Sequence, residues 1–321
     1  MSTVAEQTGT QATYRAAAKS VQDLPVWHQP WWLDATAGSD GWDAVTVFDG
    51  PSVAAVMPYT KRRRKGFTIL TQPPLTQALG PWFVGGRKPK LSVQHRLLTA
   101  LMQQLPAAHA YQQNWMPELN NWLPFYWAGY SQSTRYTYRL DLSDATETLW
   151  QRLESPCRRA IRKGTNRYGL TVGQSADVEE FWPLISRVFS RQSRGVPFSR
   201  ALVDQILRAG TGHDALSMYI ARNAAGIAHA GAIIINDQLR SYYIIGGTSE
   251  EHRNSGGMNV VLWHAITEAH ARGQRIFDFE GSMIEPIESF FRSFGARQTP
   301  YFRVWKHHHP MLRELMRLRG Q

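Results

Sequence analysis

The chain has 321 residues, 43% of them hydrophobic and 19% charged, with a formal net charge of +11. That is a globular composition, long enough for one large domain or two ordinary ones, and its positive balance favours polyanions (nucleic acid, anionic lipid headgroups, phosphorylated cofactors) or simply solubility. A single cysteine, Cys157, excludes an intrachain disulfide and any multi-cysteine metal site, and no window approaches the roughly 18 apolar residues of a transmembrane helix.

Met1 to Thr13 is polar and lacks an apolar core of signal-peptide length, so a cytoplasmic location is expected. Residues 1–20 read as a weakly ordered lead-in. Trp27, Trp31 and Trp32 open a short helical segment that ends near Gly38. Two apolar runs, 42–48 and 52–59, flank Asp49-Gly50 and predict a hairpin. A strand over 67–71 follows the basic run Lys61 to Lys65, which reads as an exposed loop able to meet a phosphorylated acceptor or anionic lipid. A helix is predicted over 91–104. Residues 111–130, dense in Trp, Tyr, Asn and Pro, read as irregular cover for this first sheet.

A strand over 135–142 marks a change of domain. Beyond it the patterns predict helices over 144–153, 156–166, 177–191 and 199–209, then strands over 215–222, 227–235 and 239–246. A helix over 256–272, a strand over 275–279, a helix over 285–293 and a strand over 299–306 complete the order. Helices, then meandering strands, then strand–helix–strand predict an α+β or mixed α/β fold with a mixed sheet, not a doubly wound parallel one. The run His307 to His309 lacks a metal-binding partner motif and reads as surface. Met311 to Arg319 spaces Met and Leu among basic residues, as does a helix that packs on its own domain or lies on a membrane surface.

The densest chemistry lies between Tyr242 and Ser282. A buried strand runs into a polar turn, Thr248 to Ser255, and then into a helix that opens with Gly256, Gly257, Met258 and Asn259. A helix start approached through glycines leaves backbone N–H groups pointing outward, which suits a phosphate or an oxyanion. The alternative is a Ser-capped helix whose glycines merely ease the turn. After that helix, strand alternation places Ile276, Asp278 and Glu280 on one face, with Phe277 and Phe279 on the other. Two carboxylates at the end of a buried strand are costly unless they are paired or face a cleft. Either can orient an attacking amine or take its proton, and the alternative for Asp278 is a structural pair with an arginine. Earlier, Pro156 fits the first turn of a helix on which Arg158 and Arg162 lie i, i+4, with Arg159 and Lys163 alongside. Those forks suit a diphosphate or an RNA backbone, or form a solvated basic face. Cys157 reads as a small helix residue, since direct transfer needs no nucleophile.

Arg253 to Met258 resembles the Arg/Gln-x-x-Gly-x-Gly/Ala turn with which the acetyltransferase (GNAT) superfamily cradles coenzyme A pyrophosphate, with Met258 where a small residue is expected. Together with Arg158 to Gly164, Phe277 to Ser282 and Ser289 to Ala296, it resembles the Fem-like branch of that superfamily, the peptidoglycan bridge-forming aminoacyltransferases and their acyltransferase relatives. The resemblance implies two GNAT-like domains, 21–134 and a catalytic 135–306, each a mostly antiparallel mixed sheet flanked by helices, followed by a basic tail, 307–321. It implies an acyl- or aminoacyl-transferase with no permanently bound cofactor or metal. Acyl-CoA or aminoacyl-tRNA would be co-substrate, and an amine of an envelope or polysaccharide precursor the acceptor, with tRNA and the anionic membrane as further contacts. Arg253, Gly256, Gly257, Met258 and Asn259 would bind the donor. Arg158, Arg162, Tyr243, Ser282 and Arg292 would contact substrate, around Asp278 and Glu280. The branch has a Phe-Lys-x-x-Phe-Gly element whose lysine goes with the aminoacyl-tRNA end. Phe291 stands at that position here, beside Arg292 on a different helix face, which leaves a thioester donor open. The rival expectation is a catalytically inactive GNAT-like fold that binds polyanions.

Overall fold

A computed structural model describes residues 10–310 except 22, 86–88, 192–194 and 282. Ser282 and the tail from Met311 onward therefore lie outside the described residues, as does the lead-in before Thr10. The chain divides into two units, Met1–Arg135 with Pro300–Gln321, and Tyr136–Thr299. Residues 300–306, expected with the second unit, belong to the first.

The first unit holds α1 (Gln11–Ala18), a 3-10 turn (Val26–His28), α2 (Pro30–Ala37), β1 (Trp42–Asp49), β2 (Ser52–Arg64), β3 (Phe67–Thr71), β4 (Trp82–Phe83), α3 (Leu91–Gln103), β5 (Ala110–Asn114) and α4 (Leu123–Trp127). α1 replaces part of the expected loose lead-in, because Tyr14 gives this Ala-rich stretch a fully buried anchor. The β1–β2 hairpin turns at Asp49-Gly50, with Gly50 at φ 62°. The expected basic loop is instead the end of β2: Lys61 to Arg64 pair with β3, and Lys65 and Gly66 close the turn at φ 48° and 80°. The segment expected to be irregular contains β5 and α4.

The second unit begins within β6 (Ser131–Asp141). It continues with α5 (Thr146–Arg152), α6 (Ser155–Arg162), a π turn (Lys163–Arg167), β7 (Thr171–Ser175), α7 (Val178–Arg191), α8 (Arg200–Gly212), β8 (Leu216–Arg222), β9 (Ala228–Asn236), β10 (Arg240–Thr248), α9 (Gly257–Ala271), β11 (Ile276–Asp278) and α10 (Glu285–Arg292). The last strand, β12 (Arg297–His307), returns the chain to the first unit, where it pairs antiparallel with β5. The sheet of the second unit runs β6-β11-β10-β9-β8-β7, antiparallel throughout except for the parallel β11–β10 pair. It is the mixed sheet that the element order predicts.

β9 is buried along almost its whole length because helices cover it, α9 and α7 both packing against it. Val261, Leu262, Ala265 and Ile266 of α9 meet Ala230, Ala232 and Ile234 in one core. Each large aliphatic side chain buried there stabilises the unit by roughly 1.5–3 kcal/mol before chain entropy is counted. This packing fixes the start of α9 at the far end of β10. Among the described residues no helix is long and apolar enough to cross a membrane.

Candidate functional site

β10 and β11 are paired only over Arg240–Tyr242 and Ile276–Asp278. Past that point β10 stays with β9 while the chain after β11 follows β6, with Phe279 N–H bonded to Tyr138 O at 2.9 Å. The two strands therefore part at Tyr243 and Phe279. At the same place the β10–β9 register slips between Tyr243 and Ile245. A bulge of this kind leaves the extra residue, Ile244, out of the ladder and aims its backbone away from it.

Glu280 stands at the mouth of the split. Its backbone lies in the left-handed region, φ 58°, a strained placement for a residue with a side chain, and Gly281 follows at φ 61°. No side chain fits at Gly281, where an added Cβ would lie 2.1 Å from Tyr136 O. The left-handed residue ends the strand alternation, so Asp278 and Glu280 occupy different surroundings rather than one face. Asp278 accepts from Arg139 Nε at 2.7 Å, from the Thr137 hydroxyl, and from the Glu280 N–H at 2.9 Å. It is 3% exposed and held by an ion pair. The Glu280 carboxyl has Oε1 sealed from solvent. Burial, then the neighbouring Asp278 carboxylate, pushes its proton affinity well above the ordinary range. Burial and the Glu280 carboxylate likewise raise the Tyr243 phenol, so that it keeps its proton.

Aromatic rings line the same place. Phe291 packs on Phe279 at 5.3 Å and on Tyr243 at 5.8 Å between ring centroids. Arg292, one residue on, is exposed and ion-paired to Glu154 at 3.0 Å and Glu288 at 3.1 Å. Glu288 also accepts from the Tyr138 hydroxyl, which holds its carboxyl below the usual range.

β10 ends at Thr248, five residues and roughly 17 Å past Tyr243 along an extended strand, and residues 249–256 then lead into α9. Gly256 caps it in the left-handed region, φ 82°, and lies so close to α6 that an added Cβ would stand 2.2 Å from Ala160 O. The Gly257 N–H meets Ser255 Oγ at 3.2 Å. Helix geometry leaves the N–H groups of Met258 and Asn259 without a partner inside the helix. The Asn259 side chain turns to Cys157 Sγ at 3.5 Å, and burial pushes that thiol up. Arg253 is exposed in the preceding turn.

The basic helix arrives at this second end. α6 packs on α9, and the π turn carries Lys163 and Arg167 up to the ring of Tyr168, each at 5.9 Å from its centroid. π segments often mark functional places in helices. Arg162 lies over Trp150 at 5.7 Å. Arg158 does not join it: its guanidinium binds the carbonyls of Gln151 and Leu153 at the end of α5.

The arginine expected as the alternative partner of Asp278 is Arg139; sequence reasoning did not single out its position, nor Thr137 or the stacked pair His229 and His252 below the turn into α9. The one available signal was His229 itself, a polar residue in the apolar run Ala228–Asn236.

The model of the acetyltransferase (GNAT) domain matches residues 152–318, more than half of the chain. No curated protein matches the chain in sequence. Among solved structures it is similar to FemX, with a TM-score of 0.68 at 14% identity over 91% of this chain and 95% of that one. L-PGS from Bacillus licheniformis gives 0.54 at 10% identity, over 97% and 96%. A tandem GNAT protein from the clavulanic acid biosynthesis pathway gives 0.50 at 12%, over 92% and 93%. At these identities the likeness is one of fold.

Proposed function

Because the chain belongs to the acetyltransferase (GNAT) family, with the fold of its Fem-like branch, we propose that it moves an acyl group directly from a thioester donor to a primary amine of an envelope or polysaccharide precursor. The observation that carries this reading is the half-buried, backbone-strained Glu280, its Oε1 sealed from solvent, beside Tyr243 where β10 and β11 part. A carboxyl whose proton affinity burial raises well above the ordinary carboxylate range is better matched to taking a proton than an ordinary carboxylate.

In the proposed reaction the amine attacks the acyl carbon, the C–N bond forms and the C–S bond breaks. Glu280 accepts the proton the nitrogen sheds, then releases it to solvent, and the thiolate leaves with its electron pair. The Tyr243 hydroxyl and the bulge amide of Ile244 serve as donors to the carbonyl oxygen while it gathers charge. Asp278 works indirectly: it holds the Glu280 N–H and so fixes the left-handed turn that presents the base. The start of α9, with Arg253, Gly256, Gly257, Met258 and Asn259, holds the donor's anionic end, and Arg162 with Lys163 adds positive field. Arg158 supports α5 in this scheme.

The ring of Phe291 favours a thioester over aminoacyl-tRNA, because an apolar wall stands where the tRNA-using pattern has a lysine. The inactive polyanion-binding reading draws on the exposed Arg162, Arg167 and Arg253. Purified protein supplied with acyl-CoA and charged-tRNA pools, plus amine-bearing envelope precursors, is expected to transfer acyl groups from acyl-CoA. No turnover with any donor, together with RNA binding that falls steeply with salt, would establish the binder instead.

A further inference from the structure

His229 lies in the second residue of β9, 1% exposed, in a stretch of Ala, Gly and Ile. Neither of its ring nitrogens has a hydrogen-bond partner among the described residues. A neutral imidazole carries one donor and one acceptor, and buried polar groups are nearly always satisfied, by protein, water or ligand. Such a residue therefore points to something that completes it.

Its position says what. A Cβ placed on Gly257, the first residue of α9, would lie 3.2 Å from His229 Cβ, so the side chain starts at the amide end of that helix. The backbone of His229 also holds the loop that leads there, its carbonyl accepting the Ser249 N–H at 2.9 Å. The ring is stacked face to face on His252 of the same loop, centroids 3.9 Å apart and planes 6° from parallel. Tyr168 meets it edge-on at 5.9 Å, and Lys163 and Arg167 flank Tyr168. The loop's acids, Glu250 and Glu251, are exposed. A helix start and an unsatisfied buried imidazole thus meet, with two cations beside the neighbouring Tyr168 ring, and all of these favour an anion. Burial and then His252 push His229 below its usual range, so without a counter-charge it is neutral and offers a single N–H.

We infer that His229, braced by the His252 ring, is a ligand for a phosphate of the donor at the start of α9. The inference rests on the donor placement proposed above and adds to the backbone amides a side-chain hydrogen bond. It makes His229 a residue that selects phosphate-bearing donors over bare thioesters. The phosphate can belong to a coenzyme or to an RNA acceptor end, and the two sources separate in the test.

Calorimetric titration of the full chain with coenzyme A, with pantetheine (which lacks the phosphates), and with an RNA acceptor-stem hairpin tests it. His229→Ala is expected to weaken coenzyme A roughly tenfold to a hundredfold, the loss of one hydrogen bond to a charged group. Pantetheine binding should not change. His229→Gln, which restores an N–H donor, should recover part of the loss, and His252→Ala should reproduce a smaller loss. If the hairpin binds and coenzyme A does not, the same pattern on the hairpin supports the site and assigns the phosphate to RNA. Folded variants that bind the phosphate ligand as wild type does, or that lose pantetheine equally, overturn the inference while leaving the donor placement standing. Should His229→Ala fail to fold, the His229→Gln and His252→Ala titrations decide alone, and full wild-type affinity in both overturns it. A wild-type chain that binds neither phosphate ligand removes the donor placement and this inference together.

Discussion

The two ends of β10 were built by the same strand and have opposite characters. Where it leaves β11, the surroundings are aromatic and acidic: Tyr243, Phe279, Phe291 and a carboxyl that resists ionising. Where it reaches α9, they are basic and rich in backbone donors: Lys163, Arg167, Arg253 and the first turn of a long helix. The first environment suits proton transfer and the second suits holding charge. A donor whose reactive carbonyl and anionic end lie far apart matches both at once, which is why the ends are best tested against each other.

The largest separation is expected from Glu280→Gln. Losing a general base costs about 10²- to 10⁴-fold in rate. Donor affinity, which the proposal assigns to the other end, should stay within about twofold to threefold. Stability should not fall. A carboxyl whose value is raised on folding binds its proton more tightly in the folded state, so its stabilisation is complete below the ordinary range, near 4.3, and is lost as pH rises towards the raised value. At neutral pH the glutamine should therefore melt at the same temperature as wild type or higher. A lower melting temperature with a proportionate loss of activity would assign Glu280 to scaffolding.

Asp278→Ala, two residues away, should behave in the opposite way. It leaves Arg139 without its buried carboxylate, which costs about 3–5 kcal/mol, and the melting transition should show most of that. A stable Asp278→Ala protein with full activity would remove the positioning role given to it here.

The pH profile sharpens the same end. Glu280 acts as a base only when ionised, so kcat/KM is expected to rise with pH through its raised value. The acid limb should therefore lie above the ordinary carboxylate range and vanish in Glu280→Gln. At the other end, Gly256→Ala forces a side chain into the left-handed region and against the Ala160 carbonyl. The strain alone is about 1–3 kcal/mol, and donor binding should weaken while the acid limb keeps its place.

Much of this unit was legible. The apolar runs of β8 to β10 and the length of α9 fix their own type, and the glycines before α9 and the acids after β11 mark the two ends. What escaped depends on partners distant in the chain. Arg139 meets Asp278 only through the β6–β11 register, and His229 meets His252 only once β9 and the loop after β10 are side by side. Alternation failed at Glu280 because one left-handed residue ended the period. Arg158 and Arg162 share a helix face by spacing, yet Arg158 folds back onto the exposed carbonyls of α5. β7 and α4 were missed because short elements carry too few residues for a period to show.

The smallest effect is expected from Arg292→Ala, and it bears on the donor. Arg292 is exposed and its contacts are Glu154 and Glu288, charges that salt screens. If the donor is a thioester that meets Phe291, removing this guanidinium should leave its affinity and the transfer rate unchanged. If an RNA end docks there instead, the loss of one phosphate contact should lower affinity for the acceptor-stem hairpin and flatten its salt dependence by about one unit of slope. A flat response thus ties the aromatic end of β10 to the acyl chain, because the neighbouring cation is then occupied with holding α10 to the start of α6.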